Sequence, residues 1–218
     1  MVRADKLAAL GDSLMSEAEQ LVVVDPRAGA ILYRDGLVIA LLIALPIRRR
    51  NLAMMRVDRH LIRDEMGYCM AFDAQETKTG ERYDAPLPDE LTDRMHRYLS
   101  VHRPIIAGAH DHDGLWASMK RCPMTPEALY ERIQLHTRAA FGHSVNPHLF
   151  RDIAATTLAI EDPANVQIAS DLLGHSDPST TERYYIQASM VEASRKYRNT
   201  VLALRDESGG VPDKDEER

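Results

Sequence analysis

Between residues 3 and 20 the apolar side chains fall at Leu7, Leu10, Leu14 and Ala18, a spacing that predicts a weakly amphipathic surface helix or a lead-in arm. After VVVDPRAG the pattern changes: residues 28–45 are apolar almost all round and stop at Pro46, which predicts a long helix buried in the core. A short helix is predicted from near Arg48. The helical period then disappears. Over residues 59–87 the β-prone pieces HLI, GYCMAF and RYDAPL are separated by Gly-containing turns, which predicts a small antiparallel meander. Helices resume at 88–100 and at 126–141, where Thr125 offers an N-cap and Pro126 a first helical position. Pro147, Pro163 and Pro178 punctuate three further short helices. A last helix over 189–204 has Met190, Val191, Ala193, Tyr197, Val201 and Leu204 as its apolar set. The expected fold class is mainly α with a small antiparallel three-stranded sheet (α+β). Its organisation is an N-terminal arm or linker remnant over 1–27, one compact domain over 28–205, and a tail over 206–218.

A chain of 218 residues is long enough to bury a real core and to fold alone. The net charge of −6 argues at first against a phosphate-binding protein. The distribution matters more. Residues 206–218, DESGGVPDKDEER, hold six acids and two bases, so this stretch, expected to be disordered, contributes −4 and leaves −2 for the rest. RRRNLAMMRVDRHLIR, from residue 48 to 63, carries six arginines against one acid, and SRKYR at 194–198 adds three bases. The apolar run LVIALLIAL at 37–45 is too short to span a bilayer, and the charged N-terminus lacks a signal-peptide core. Cys69 and Cys122 have no metal-type spacing and are expected to be reduced thiols of a cytoplasmic protein.

Three stretches carry candidate chemistry. NPHLFRD places His148 and Arg151 three apart, on one face of a helix beginning near Pro147. LLGHSDPSTTERYY puts two adjacent tyrosines nine and ten positions after His175. HDHDG, starting at residue 110, holds metal-ligand residue types but no third partner at a defined spacing. Each is weak alone.

Their order is specific. PIRRRNLAMM, ETKTGERYDAPL, HLFRD, LLGH and TTERYY follow one another in a chain that resembles the catalytic domain of the tyrosine recombinases, the phage integrase family, over residues 28 to about 200. By position, Arg48 matches the family's first catalytic arginine, and Lys78, in the turn between the second and third predicted strands, its catalytic lysine. His148 and Arg151 match the His-x-x-Arg pair, His175 the histidine of LGH, and Tyr184 the nucleophile, with Tyr185 left to pack. Arg49 and Arg50, beside Arg48, are candidates for contacts to the DNA backbone.

The resemblance implies attack by Tyr184 on a DNA phosphodiester and a 3′-phosphotyrosyl intermediate. Negative charge builds on the nonbridging oxygens, and planar guanidinium groups neutralise it through paired hydrogen bonds that lysine cannot copy. Arg48 and Arg151 would form that clamp with His175 as a further donor. A phenol with an ordinary pKa of about 10 needs a proton acceptor or a cationic pocket, and His148 is the candidate. Lys78 would protonate the departing 5′-oxygen. No metal, nucleotide or other cofactor is implied.

The implied partners are double-stranded DNA and further copies of the chain, joined on DNA through the 189–204 helix, and no membrane. The expected function is that of an integrase or recombinase of a mobile element. The alternatives are a catalytically impaired DNA-binding fragment and a metal-dependent hydrolase centred on HDHDG. Two positions depart from the family pattern: Asn51 stands where an acid commonly follows the first arginine, and Asp152 where a histidine often follows the second. About 27 residues precede the resemblance, so the separate N-terminal core-binding domain usual in the family is expected to be missing.

Overall fold

The computed structural model describes residues 2–161 apart from residue 66. Asp25 divides two long helices, α1 (Ala4–Val24) and α2 (Pro26–Ala44). Its side chain accepts from the Ala28 N–H at 3.0 Å, and Pro26 takes the first helical position, where its missing N–H costs nothing. The helices then fold back on one another where two glycines meet. A Cβ added to Gly36 would lie 2.8 Å from the Gly11 carbonyl oxygen, and one on Gly11 would lie 3.0 Å from the Gly36 oxygen. Leu7, Leu14, Met15 and Ala18 are buried along this seam. The segment read as an arm or linker remnant therefore packs as part of the core.

The helix read as apolar almost all round carries two buried charges. Arg34 and Asp35 are each 2% exposed. Arg34 donates through Nε and Nη2 to Asp35 Oδ1 and through Nη1 to the Ala117 carbonyl at 2.6 Å. The other oxygen, Oδ2, is met by Arg132 Nε at 2.6 Å and His136 Nε2 at 3.0 Å, both from α6 (Pro126–Phe141). Burial pushes the Asp35 carboxyl up, but Arg34, His136 and Arg132 outweigh it and hold it below the ordinary carboxylate value.

The meander forms as expected: β1 (Leu61–Asp64), β2 (Gly67–Phe72) and β3 (Tyr83–Pro86) make an antiparallel sheet in the order 1-2-3. Met70 pairs with Leu61 on one side and Ala85 on the other, and all three are buried, so the period-2 alternation aims one face inward. A short helix, α3 (Arg49–Met54), lies between α2 and the sheet. Beyond the sheet, α4 (Asp89–Arg97) runs through a π-turn over Tyr98–His102 into α5 (Arg103–Ile105). Glu19 of α1 binds this turn, pairing with Arg97 at 2.8 Å and His102 at 3.0 Å.

Trp116, 1% exposed, braces α3 by donating from Nε1 to the Leu52 carbonyl at 2.9 Å. The Thr125 hydroxyl caps α6 at the Ala128 N–H, and α6 ends at Gly142, whose φ of 74° suits glycine. In α7 (Pro147–Glu161), Phe150, Ile153 and Ala155 are buried. No helix among the described residues is long and apolar enough to cross a membrane. The expected helices after Pro163 and Pro178, the 189–204 helix and the acidic tail lie outside the described residues.

Candidate active site

Arg48 is the N-cap residue of α3: its backbone is extended, and its carbonyl accepts from the Leu52 N–H at 2.9 Å. Pro46 ends the preceding helix, so α2 delivers its last buried turn directly to this arginine. Arg48 and Arg49 are half-buried and Arg50 is exposed. Arg49 leans on α6, with its guanidinium carbon 5.7 Å from the centroid of the Tyr130 ring and Nη2 3.9 Å from Glu127. The rest of the basic run is also partly paired: Arg56 Nη1 lies 2.6 and 2.9 Å from the two carboxylate oxygens of Asp113, and Arg59 reaches Glu76 at 2.6 Å.

Lys78 is exposed in the turn between β2 and β3, as expected. The turn is held by its own polar groups. A single 3₁₀ turn, Ala74–Glu76, starts it, and the Thr77 hydroxyl, 2.7 Å from the Glu81 carbonyl and 3.1 Å from that of Ala74, shares its one proton between them and closes the loop around Lys78. Glu76 fastens it to the rest of the domain. Its carbonyl accepts from Asn51 Nδ2 at 3.1 Å. Its carboxylate accepts from the Asp73 N–H at 3.1 Å, from Arg59, and from Nε2 of the buried His60 at 3.1 Å. The Arg56 N–H donates to Nδ1 of that ring, so Nε2 carries the proton given to Glu76. Burial raises the Glu76 carboxyl, yet His60, the Asp73 N–H and Arg59 together hold it below its ordinary value.

Arg151 arrives from the other end of the domain. Asn146 accepts the His148 N–H at the start of α7, and the buried face of that helix turns Arg151 toward α2, where Nη1 donates to the Pro46 carbonyl at 2.7 Å. Arg151 also lies close enough to Tyr83 of β3 to oppose the rise that burial imposes on that phenol. His148 is exposed, and its ring makes no hydrogen bond among the described residues.

The fold thus brings Arg48, Arg151 and the Lys78 turn to one edge, where α2, α3, α7 and the sheet meet. His175 and Tyr184 lie outside the described residues. The HDHDG stretch is used locally: Asp113 is engaged by Arg56, and Asp111 lies 3.5 Å from Arg121. No three metal-ligating groups converge among the described residues. The residues that sequence reasoning missed are Glu76 and His60. Glu76 sat unremarked inside ETKTGERYDAPL, and nothing in the sequence marks His60 as anything but a strand residue.

Similarity to known proteins bears on this arrangement. Residues 13–191 match the phage integrase family, and the chain belongs to it. Its fold is that of a tyrosine recombinase catalytic domain. The chain is 31% identical over 155 residues to the tyrosine recombinase XerD of Pseudomonas aeruginosa, covering 71% of this chain and 46% of that protein. XerD of Staphylococcus saprophyticus is 29% identical over 154 residues, covering 70% of this chain and 50% of the relative. The chain therefore spans about half the length of these relatives. Among solved structures, the XerH site-specific recombinase bound to difH substrate in a pre-cleavage complex superposes with a TM-score of 0.63 at 16% identity, covering 88% of this chain and 50% of that one. The XerA recombinase gives 0.60 at 18% identity, covering 91% and 65%.

Proposed function

We propose that this protein is a site-specific recombinase that cleaves and rejoins double-stranded DNA through a 3′-phosphotyrosyl intermediate, serving as the integrase or recombinase of a mobile element in the cytoplasm. The observation that carries this reading is the Arg151–Pro46 hydrogen bond, which sets the His-x-x-Arg helix against the residue pair preceding Arg48. A guanidinium group held in place by its own scaffold, as Arg151 is, suits a phosphoryl transition state, because preorganised donors need no rearrangement as charge develops.

In this mechanism Tyr184 Oη attacks phosphorus and gives its proton to His148. Arg48, Arg151 and His175 stabilise the charged nonbridging oxygens. The bond from phosphorus to the 5′-oxygen breaks, and Lys78 supplies the proton that this oxygen takes up. The phosphotyrosyl bond keeps the energy of the diester, so a 5′-hydroxyl of a second strand reverses the step. Arg49 and Arg50 contact the DNA backbone, and the 189–204 segment joins copies of the chain on DNA.

The test is incubation with nicked duplexes from which the cleaved fragment diffuses away, scored for a protein–DNA adduct that survives denaturation. The wild type and Tyr185→Phe are expected to form it and Tyr184→Phe to form none. DNA binding without any adduct would instead support the reading as a DNA-binding fragment, and chelator-sensitive hydrolysis would support the metal-dependent one.

A further inference from the structure

We infer that Asn51, Glu76 and His60 form a positioning lock that sets the Lys78 turn against the Arg48 helix. The inference rests on the reading of Lys78 as the proton donor to the 5′-oxygen. Lys78 is exposed at the tip of its turn, and its side chain makes no hydrogen bond or ion pair among the described residues. What holds it is two residues away. Asn51, 7% exposed on α3, donates to the Glu76 carbonyl at 3.1 Å, and α3 is the helix that Arg48 caps. Buried His60 holds the Glu76 carboxylate from below, while stacking on Phe72 of β2 with ring centroids 5.2 Å apart. The Lys78 turn and the Arg48 helix are thus joined through one side-chain amide and one backbone carbonyl, and the Glu76 carboxylate is held in turn by His60.

The contact seen in this structure needs a hydrogen-bond donor at residue 51, the position where the family commonly carries an acid. Only a donor serves the Glu76 carbonyl, and an aspartate of the same shape would set a carboxylate against that oxygen. An aspartate there therefore releases the turn without changing side-chain volume. Glu76→Ala acts from the other side by leaving the buried His60 N–H without its acceptor, and Glu76→Gln, which keeps an acceptor for it, restores function in part.

The test reads proton donation separately from the rest of the reaction. In a nicked duplex whose leaving 5′-oxygen is replaced by sulfur, the leaving group departs as a thiolate and needs no proton. Lys78→Ala is expected to be slow on the oxygen substrate and close to wild type on the sulfur one. Asn51→Asp and Glu76→Ala are expected to follow the same pattern, about 10- to 100-fold slow with oxygen and within a few-fold of wild type with sulfur. Equal slowing on both substrates, or no slowing on either, overturns the lock while leaving Lys78 in its role. Failure of sulfur to rescue Lys78→Ala overturns the Lys78 assignment and the lock's purpose with it. A readout independent of cleavage is backbone hydrogen exchange in DNA-free protein: Asn51→Asp should speed exchange at residues 76–81 and leave α6 protected. Unchanged exchange there contradicts the lock even if the protein never cleaves DNA.

Discussion

Arg151 Nη1 lies 2.7 Å from the Pro46 carbonyl, a contact between positions 105 residues apart that pins α7 to the chain two residues ahead of Arg48. In the proposed reaction arginine has the reach and the planar fork to keep this bond and also donate to a phosphate. Lysine has a single ammonium centre and must choose. Arg151→Lys is therefore expected to fold normally by circular dichroism and to lose about 10²- to 10³-fold in single-turnover cleavage.

The buried Asp35 cluster predicts a purely structural phenotype. Asp35→Ala leaves Arg34 buried with its charge uncompensated and releases Arg132 and His136 of α6. Breaking such a pair costs about 3–5 kcal/mol, and urea unfolding should show that loss. Replacing Arg34 and Asp35 together with methionine and leucine should cost less, because no fully buried charge is orphaned and Arg132, whose side chain is 33% exposed, can turn to water.

Gly36 gives a test of the α1–α2 seam in which two effects oppose. Alanine favours a helix over glycine by up to about 1 kcal/mol. Here its Cβ would sit 2.8 Å from the Gly11 carbonyl oxygen and 2.9 Å from Met15 Cγ. Overpacking of this kind costs about 1–3 kcal/mol, so Gly36→Ala should lower the urea midpoint and Gly36→Val lower it further.

Glu19 sets a pH dependence. The hydrogen bond from Arg97 holds its carboxyl at about 2 against an ordinary value of 4.5, with burial opposing the shift and His102 adding to it. The folded state thus binds fewer protons than the unfolded one between those values. Its contribution is full above pH 4.5 and is lost as pH falls toward 2. Unfolding measured from pH 6 down to 2.5 should show stability falling with acidity, and Glu19→Gln should flatten that slope.

The parts of this molecule legible in its sequence are those coded by neighbours along the chain. Thr125 and Pro126 started α6 where they said, Pro46 closed the long helix, and three alternating pieces paired in order as a meander. The parts that were not legible depend on what the fold brings near. Arg34 and Asp35 were hidden in an apolar run because their partners are 83 to 101 residues away. The apolar face of α1 was visible as Leu7, Leu14 and Ala18, but the close approach of Gly11 to Gly36 was not, so α1 read as a surface helix or a lead-in arm. Asn51 stood out only as a departure from the family's acid, and its meaning appears once Glu76, 25 residues on, lies against it. Arg48 and Lys78 were placed by order of motifs, and the contacts tying them together were invisible until the turn and the helix shared an edge.

The central claim is that Tyr184 carries the DNA. The most direct measurement is tandem mass spectrometry of the denatured adduct after nuclease trimming and proteolysis. A nucleotide joined through its 3′-phosphate to Tyr184 is the predicted result. The same nucleotide on Tyr185, or a linkage through a 5′-phosphate, would contradict it.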